Sequence, residues 1–588
     1  MALTRKGTMV LGAVGLIALV VGGKFALNEG LLGKPTTVAT SVPVTTRIQH
    51  FTVSDQMASY QLKPAATAAR MDQCPTFLEI AWNGFGSINL ANGDISTVKG
   101  SPVDKYTGGG CLQIVRQDDY SQQEAELTKF VNSNGQSGAA FIGIMGDAFP
   151  YVSQALDNTI PGGYEAIGVV GFSDGEDKCM LPADAQKDPQ KARGDLVAAV
   201  PRDGDWNICV KWASDNNIPI HTDQKTYDPS ALNFMDVDAF TTADEKLIAQ
   251  ACEDRTVVEN GLAHGTKKVC VNGVATWTPG DVDVVTKYPG SIVGVASTHD
   301  YAGQMPALII GAKTWMAAHH DYVVGLLKAA DRGAMAIRSG QDGLFAMGDV
   351  QTKIFKEQNA AYWAKYFKGV VGQDHQGNPV NLGGSKAVTL QDARDYFGLR
   401  PGTADIFASV YRVFKGYDET FYPTDYPKVG PKAIPEYDSV VNVSYLRDAL
   451  ADVPMNSGAV VATQALPQTI TQKVSTTIKH VEFDTNAATI KPASEDVLKQ
   501  IMDSANIAQG LRIQINGFTD NTGSAAINTP LSEARANAVA TWLNGHAPAN
   551  FPMARMEVHG YGPANPVCAD NTSDCRAQNR RVEIVMGQ

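Results

Sequence analysis

Two stretches near the C-terminus hold the residue types best suited to binding chemistry: Asn516–Arg535, NGFTDNTGSAAINTPLSEAR, and Arg576–Glu583, RAQNRRVE. Leu511, Ile513 and Ile515 alternate as a strand does. Gly517, Asn521 and Gly523 then break the chain into a loop. Thr529 followed by Pro530 reads as a helix start, an N-cap residue with proline at the first helical position. Asp520 then stands at the strand exit and Arg535 in the early turns of the helix, both around one concave loop. Such a pair suits a zwitterion, because the carboxylate takes an ammonium and the planar guanidinium takes a carboxylate through two parallel hydrogen bonds. An ordinary surface ion pair is the bland alternative.

These residues resemble the peptidoglycan-binding domain of the OmpA-like family, which includes Pal-type lipoproteins and the periplasmic part of MotB-type proteins. The resemblance is carried by TDxxG at Thr519–Gly523, Asn528, LSxxRAxxV at Leu531–Val539, GYG at Gly560–Gly562 and NRRVEI at Asn579–Ile584. It spans Val474 to Met586. It implies that the domain binds the diaminopimelate end of a peptidoglycan stem peptide, with Asp520 on the ammonium and Arg535 on the carboxylate. Thr519, Asn528, Arg576 and Arg580 would support the loop or touch the ligand.

The elements that must position this site belong to a long chain. At 588 residues, several domains are expected. A content of 44% hydrophobic and 19% charged residues is that of folded protein, so long disorder is not expected. The net charge of -12 argues against nucleic acid as a partner. The eight cysteines make no CxxC and no zinc-finger spacing, so no metal site is expected. Pairing of sequence neighbours predicts the disulfides Cys568–Cys575 and Cys252–Cys270, then Cys74–Cys111 and Cys179–Cys209, in an oxidising compartment.

Arg5 and Lys6 precede an apolar run from Met9 to Gly23, extended past Lys24 by Phe25, Ala26 and Leu27. The run is short for a span, but Lys24 can snorkel to an interface. The preceding positive charges place the N-terminus in the cytoplasm. An uncleaved signal anchor is expected, with a cleaved signal peptide as the competing reading. No Asp or Glu occurs in the run, which argues against a proton-conducting stator.

From Pro75 to Tyr426, short apolar runs alternate with helical periods. Strands are expected at Phe77–Trp82, Cys111–Val115, Ala139–Met145, Ala166–Phe172 and Met305–Ile310, with helices at Glu124–Val131 and Trp315–Ala330. The alternation predicts helices covering a mostly parallel sheet, with ligands at the carboxyl ends of strands. Strand-end loops carry Trp82, Asn83 and Gly84, then Gly146 and Asp147, then Ser173 and Asp174. The region resembles type 2 periplasmic substrate-binding proteins of ABC importers, in the nitrate, sulfonate and thiamine-precursor branch. That resemblance rests on Ile80–Gly93, Gly138–Ala148, Val274–Gly290 and Met305–Ala330. It implies two lobes, with Trp277 and Thr278 closing from the second over a small polar or anionic solute. Asp147 and Asp174 could equally select an amine. Cys179–Trp212 and Gln250–Val271 depart from the usual receptor.

Catalysis is not expected. His319 and His320 are adjacent on a predicted helix and point different ways. His299–Asp300 has no accompanying nucleophile motif, and Gly108–Gly110 lacks the lysine of a phosphate loop. The expected fold class is α/β: a bilobed periplasmic-binding-protein-like domain plus a small α+β OmpA-like domain, with one N-terminal transmembrane helix. The expected order is a signal anchor over 1–32, a periplasmic linker over 33–72, the two-lobed domain over 73–426, a linker over 427–473 and the OmpA-like domain over 474–588. The expected role is a single-pass inner-membrane protein with its bulk in the periplasm. It would hold a solute-binding module beside the wall, with no cofactor and a possible importer or other envelope partner. The alternatives are a purely structural tether and an enzyme acting on the wall.

Overall fold

Apolar strands that run out into small, polar loops build two mixed sheets, and the chain passes between them twice. The structure, a computed structural model, describes residues 53, 59–65 and 73–588, apart from 374–378, 426–429, 431, 462, 485 and 570. The anchor expected over 1–32 lies outside the described residues, as does most of the linker over 33–72. Among the described residues, no helix is long and apolar enough to cross a membrane.

The first lobe begins with β1 (Thr76–Glu79), β2 (Gln113–Arg116), β3 (Phe141–Met145) and β4 (Tyr164–Asp174). The chain crosses at Gly175–Glu176 into β5 (Asp177–Pro182), β6 (Leu196–Ala199), β7 (Ile220–His221), β8 (Thr226–Tyr227) and β9 (Leu232–Asp236). A hairpin of β10 (Cys252–Glu259) and β11 (Leu262–Cys270) follows, then β12 (Gly273–Trp277) and β13 (Ile292–Ser297). The chain returns through 298–305 to β14 (Pro306–Ala312), β15 (Val371–Gln373), β16 (Pro379–Asn381) and β17 (Gly384–Ala387).

Sheet order is β17-β4-β14-β3-β1-β2 in the first lobe and β13-β5-β12-β6-β9-β7 in the second. The expectation of a mostly parallel sheet needs correction. β1 is parallel to β2 and β3, but β14 lies antiparallel between β3 and β4. Likewise β5 lies antiparallel between β12 and β13. Each strand that arrives from the other lobe enters from the crossover end, and this reverses its direction. Burial on both faces explains the unbroken apolar run of β3, FIGIM, all five residues of which are buried.

All four disulfides form as expected: Cys74–Cys111, Cys179–Cys209, Cys252–Cys270 and Cys568–Cys575. The second ties β5 to the Gly204–Asp215 helix, and the third closes the β10–β11 hairpin. The helix expected over Trp315–Ala330 is two, Lys313–Ala318 and His320–Arg338. The break is at His319, whose ring stacks on Trp315 at 4.1 Å. The stretch 427–473, read as linker, carries helices Tyr437–Val440 and Ser444–Ala449. Val440, Tyr445, Leu446, Ala449 and Val453 are buried with the first lobe's core. Tyr60, expected in the N-terminal linker, donates its hydroxyl to Asp331 at 2.7 Å on that same lobe.

The C-terminal part has β18 (Lys473–Lys479), helix Glu495–Ile507, β19 (Arg512–Gly517), helix Ala525–His546, β20 (Met556–Gly560), helix Ser573–Asn579 and β21 (Val582–Gly587). The sheet order is β18-β21-β19-β20. The long helix starts a turn before the expected Thr529–Pro530. The N–H groups of Ile527 and Asn528 already close on the Ser524 carbonyl, so Pro530 sits inside the helix.

This C-terminal part is seated on the return crossover. Gly303 N–H donates to Ile507 O at 2.9 Å, and Gly510 N–H donates to Asp300 O at 3.1 Å. The terminal Gln588 side chain reaches Asp300 at 2.7 Å. A Cβ on Gly510 would lie 1.8 Å from the His299 carbonyl oxygen, so glycine is required by the closeness of the two backbones. Gly510→Ala is therefore expected to destabilise the protein by about 1–3 kcal/mol, because the clash is with backbone. Hydrogen exchange should then show lost protection at the amides of Gly303 and Gly510. Unchanged protection with an unchanged melting temperature would refute the seating.

Candidate functional site

Two concave regions lie at loop ends. The first is a groove of about 540 Å³ in the C-terminal part. Its walls include His480, Phe483, Lys491, Phe518, Arg535 and Arg580. The helix Ala525–His546 brings Arg535 to it, and Asp520, past the strand exit of β19, is tied to the groove through its pair with Arg580. Arg535 donates Nε to Ala487 O at 3.0 Å and lies over the Phe483 ring at 5.1 Å. Burial and the neighbouring charge of Arg580 both weigh against its own charge, and Asp520 supports it.

Asp520 is held on two sides. One carboxylate oxygen takes Arg580 Nη1 at 2.7 Å and the other takes Thr522 N–H at 2.9 Å. Burial acts against its charged form, but these hydrogen bonds outweigh it and keep the carboxyl below its usual range. Thr519 donates its hydroxyl to Asp520 O at 2.9 Å, and Asn528 donates Nδ2 to Thr522 O at 3.0 Å. Both shape the loop. Arg576 turns away to Asn571, donating to its carbonyl at 2.7 Å and its side chain at 3.0 Å. Sequence reasoning missed Arg581, which is buried, stacks on Phe518 at 3.8 Å and pairs with Glu583 at 2.6 Å. Its signal was the tandem NRRVE at a strand entry, where alternate residues face opposite sides.

Residues 482–580 match the OmpA family. Over 106 residues the chain is 40% identical to the peptidoglycan-binding protein ArfA of Mycobacterium tuberculosis, covering 18% of this chain and 32% of that protein. Over another 106 residues it is 34% identical to the outer-membrane lipoprotein YfiB of Pseudomonas aeruginosa, covering 18% of this chain and 61% of that one. The chain thus spans about a third to three-fifths of these relatives' length. Among solved structures, a MotB-like protein from Desulfovibrio vulgaris shares 29% identity, over 19% of this chain and 72% of that chain, with a TM-score of 0.18. The periplasmic nitrate-binding protein NrtA from Synechocystis PCC 6803 shares 13% identity, over 66% of this chain and 91% of that chain, with a TM-score of 0.44.

The second concave region is a cavity of about 390 Å³ between the lobes. It is lined by residues at or just past the carboxyl ends of strands from both sheets. Trp82 follows β1, Asp118 and Tyr120 follow β2, Asp203 follows β6, Asp238 follows β9, and Trp277 ends β12. Trp82 is fixed by a hydrogen bond from Nε1 to Glu176 of the first crossover at 2.5 Å.

Of the expected solute residues, Trp82 and Trp277 line this cavity. The other seven do not. Asn83 and Gly84 are buried, with Gly84 against the Trp82 ring and the Asn83 side chain on Trp363 O at 3.4 Å. Gly146 packs against Pro306. Asp147 accepts from Gln304 Nε2 at 2.9 Å, and Ser173 meets Thr298 at 2.5 Å. Both partners are on the return crossover, so these strand ends satisfy buried crossover groups. Thr278 donates to Leu382 O at 2.7 Å, and Asp174 pairs at the surface with His299 at 3.2 Å. His299 therefore faces Asp174 rather than forming a dyad with Asp300. Among the described residues, no group of three or more His, Cys, Asp or Glu is arranged to hold a metal.

Burial around the crossovers pushes several carboxyls up: Asp203 to about 6, Asp147 to about 7 and Glu176 to about 8. Asp244, buried beside Thr276, rises to about 7. The unfolded chain releases these protons near pH 4. The folded state binds more protons between these values, so their contribution is full below about pH 4 and is lost as pH rises through 6 to 8. The melting temperature is expected to fall as buffer pH is raised from about 5.5 to 8.5, by scanning calorimetry. Asp147→Asn should flatten part of that slope.

Proposed function

We propose that the chain attaches to peptidoglycan through the groove lined by Arg535 and Arg580, with Asp520 paired to Arg580 beside it, and presents the two-lobed body as a solute-binding module beside the wall. The observation that carries this reading is the site geometry within residues 482–580. A carboxylate kept ionised by Arg580 and Thr522 stands near an arginine braced on Phe483. That arrangement offers one group to an ammonium and another to a carboxylate, the ends of a diaminopimelate residue. ArfA, named as peptidoglycan-binding, is 40% identical to this chain over 106 residues. An envelope location and an exported, disulfide-bonded body accord with the four cystines. No catalytic step is needed for the role. The second reading, a tether whose body binds no solute, differs only in the cavity between the lobes.

Retention on purified sacculi tests the wall reading in the full chain. Asp520→Ala and Arg535→Ala are each expected to weaken binding by about 2–5 kcal/mol, as expected when one partner of a desolvated charge pair is removed. Arg576→Ala should be retained like the parent, since its guanidinium is engaged by Asn571. Equal retention of all four proteins would refute the assignment.

A further inference from the structure

The charge of the interlobe cavity departs from what an anion receptor requires. Its lining holds four carboxyl groups, Asp118, Asp203, Asp238 and Glu357, against one guanidinium, Arg116. Arg116 is already engaged on both sides. Its Nη2 and Nε meet Asp118 at 2.7 Å, and its Nη1 meets Glu357 at 3.0 Å and Phe355 O at 3.0 Å. Among the described residues, no other lysine or arginine lines the cavity. An oxyanion entering it would face four carboxyls and one cation already shared by two of them, Asp118 and Glu357, in a cleft where such repulsion is strong.

Three aromatic side chains share the remaining wall with Ile80, Ala81, Met145, Ala239 and Thr241. Trp82 and Tyr120 come from the first lobe and Trp277 from the second. Indole and phenol rings attract cations through their electron-rich faces, and more so when the site is shielded from water. Asp238 is exposed on the second lobe and Asp118 is half-exposed on the first. Negative charge is therefore offered from both sides of the opening. A volume of about 390 Å³ suits a small organic molecule and exceeds what a bare ion needs.

We propose that this cavity binds a small organic cation, an ammonium or polyamine on an apolar frame, between Trp82, Tyr120 and Trp277, with Asp118 and Asp238 as its counter-charges. The assignment rests on the solute-binding reading above and names its ligand class. Lobe closure brings Asp238 and Trp277 toward Asp118 and Trp82. The cation gains contacts on both sides only in that state, which is what shifts a two-state hinge.

The test uses the full chain, with thermal shift and tryptophan fluorescence against choline, spermidine and benzylamine, and against nitrate and methanesulfonate. At least one cation is expected to raise the melting temperature and change the fluorescence, with no response to the two anions. Asp238→Asn, an exposed change that spares the fold, should weaken the responding cation about ten- to hundredfold, and Trp277→Ala should remove most of the fluorescence change. A response to nitrate or methanesulfonate alone would overturn the cation assignment and leave a solute-binding body. A cation response identical in Asp238→Asn and Asp118→Asn would place binding elsewhere and overturn it too. No response to either class would overturn both this assignment and the solute-binding reading.

Discussion

The arrangement depends on one close backbone contact, where the loop after the Glu495–Ile507 helix meets the return crossover between the lobes. Gly303 and Gly510 carry no side chain, and each lies too close to opposing backbone for a Cβ to be accommodated without a shift. Around that contact the C-terminal part holds both lobes. Toward the second, Asn216 bonds both Val474 O at 3.0 Å and Thr476 N–H at 3.1 Å, and Lys211 reaches Ser504 at 2.8 Å. Toward the helix Ile406–Phe421, which packs on the first lobe's Phe149–Thr159 helix, Arg412 pairs with Asp503 at 2.6 Å. The C-terminal domain is therefore no bead on a string. A rotation of one lobe about the crossovers must either carry these bonds along or break some of them.

The same crossovers explain why so many acids are buried there. Glu176 holds Trp82 and Ser385, Asp147 holds Gln304, and Lys178 pairs with Asp281 at 2.5 Å. Two chain segments leave one sheet and enter another at these points, so their peptide groups lack ladder partners. Short polar side chains take up that role. Glu176 and Asp147 lose solvation and hold protons to higher pH, which makes them poor permanent charges and good hydrogen-bond partners. The carboxyls at the mouth, Asp118, Asp238 and Glu357, are exposed enough to serve as charges.

What was legible in the sequence follows from how local each signal is. The loop from Thr519 to Gly523 and the arginine after it are set by a compact motif, so Asp520 and Arg535 could be placed before any fold was known. Cystine pairing followed adjacency because each bridge closes a local unit, as Cys252 and Cys270 do across a hairpin. Trp277 came from the resemblance to substrate-binding proteins, while strand ends were legible as loops, and that found Trp82. It did not find Arg116, Asp118 or Tyr120, although the same rule applied to the QDDY that follows β2. Glu357 lies just beyond a helix end and carried no periodic signal at all. Asp147 and Ser173 looked like ligand groups because type and position were right. Only the tertiary pairing with Gln304 and Thr298 shows that both are turned toward the return crossover.

The groove in the C-terminal part poses a last energetic question, because Asp520 is not an unoccupied carboxylate. Arg580 sits on it at 2.7 Å, with a side chain almost half exposed. An ammonium that docks on Asp520 must share it with, or displace, an existing charge partner. Exchange of one cation for another on the same carboxylate gains little by itself, because the pair that forms replaces one that breaks. The net affinity must then come from what is not exchanged. Arg535 is fixed against Phe483 and by the carbonyl of Ala487, so its rotamers are restricted before any ligand arrives. Arg581 braces Phe518 from behind. A ligand carboxylate meeting that preorganised guanidinium gains charge-assisted bonds at small entropic cost, while Arg580, on a flexible and half-exposed stem, can swing with the ammonium's arrival. Within this geometry, Arg535 sets how tightly a zwitterion is held, and the Asp520–Arg580 pair sets which end of it is read.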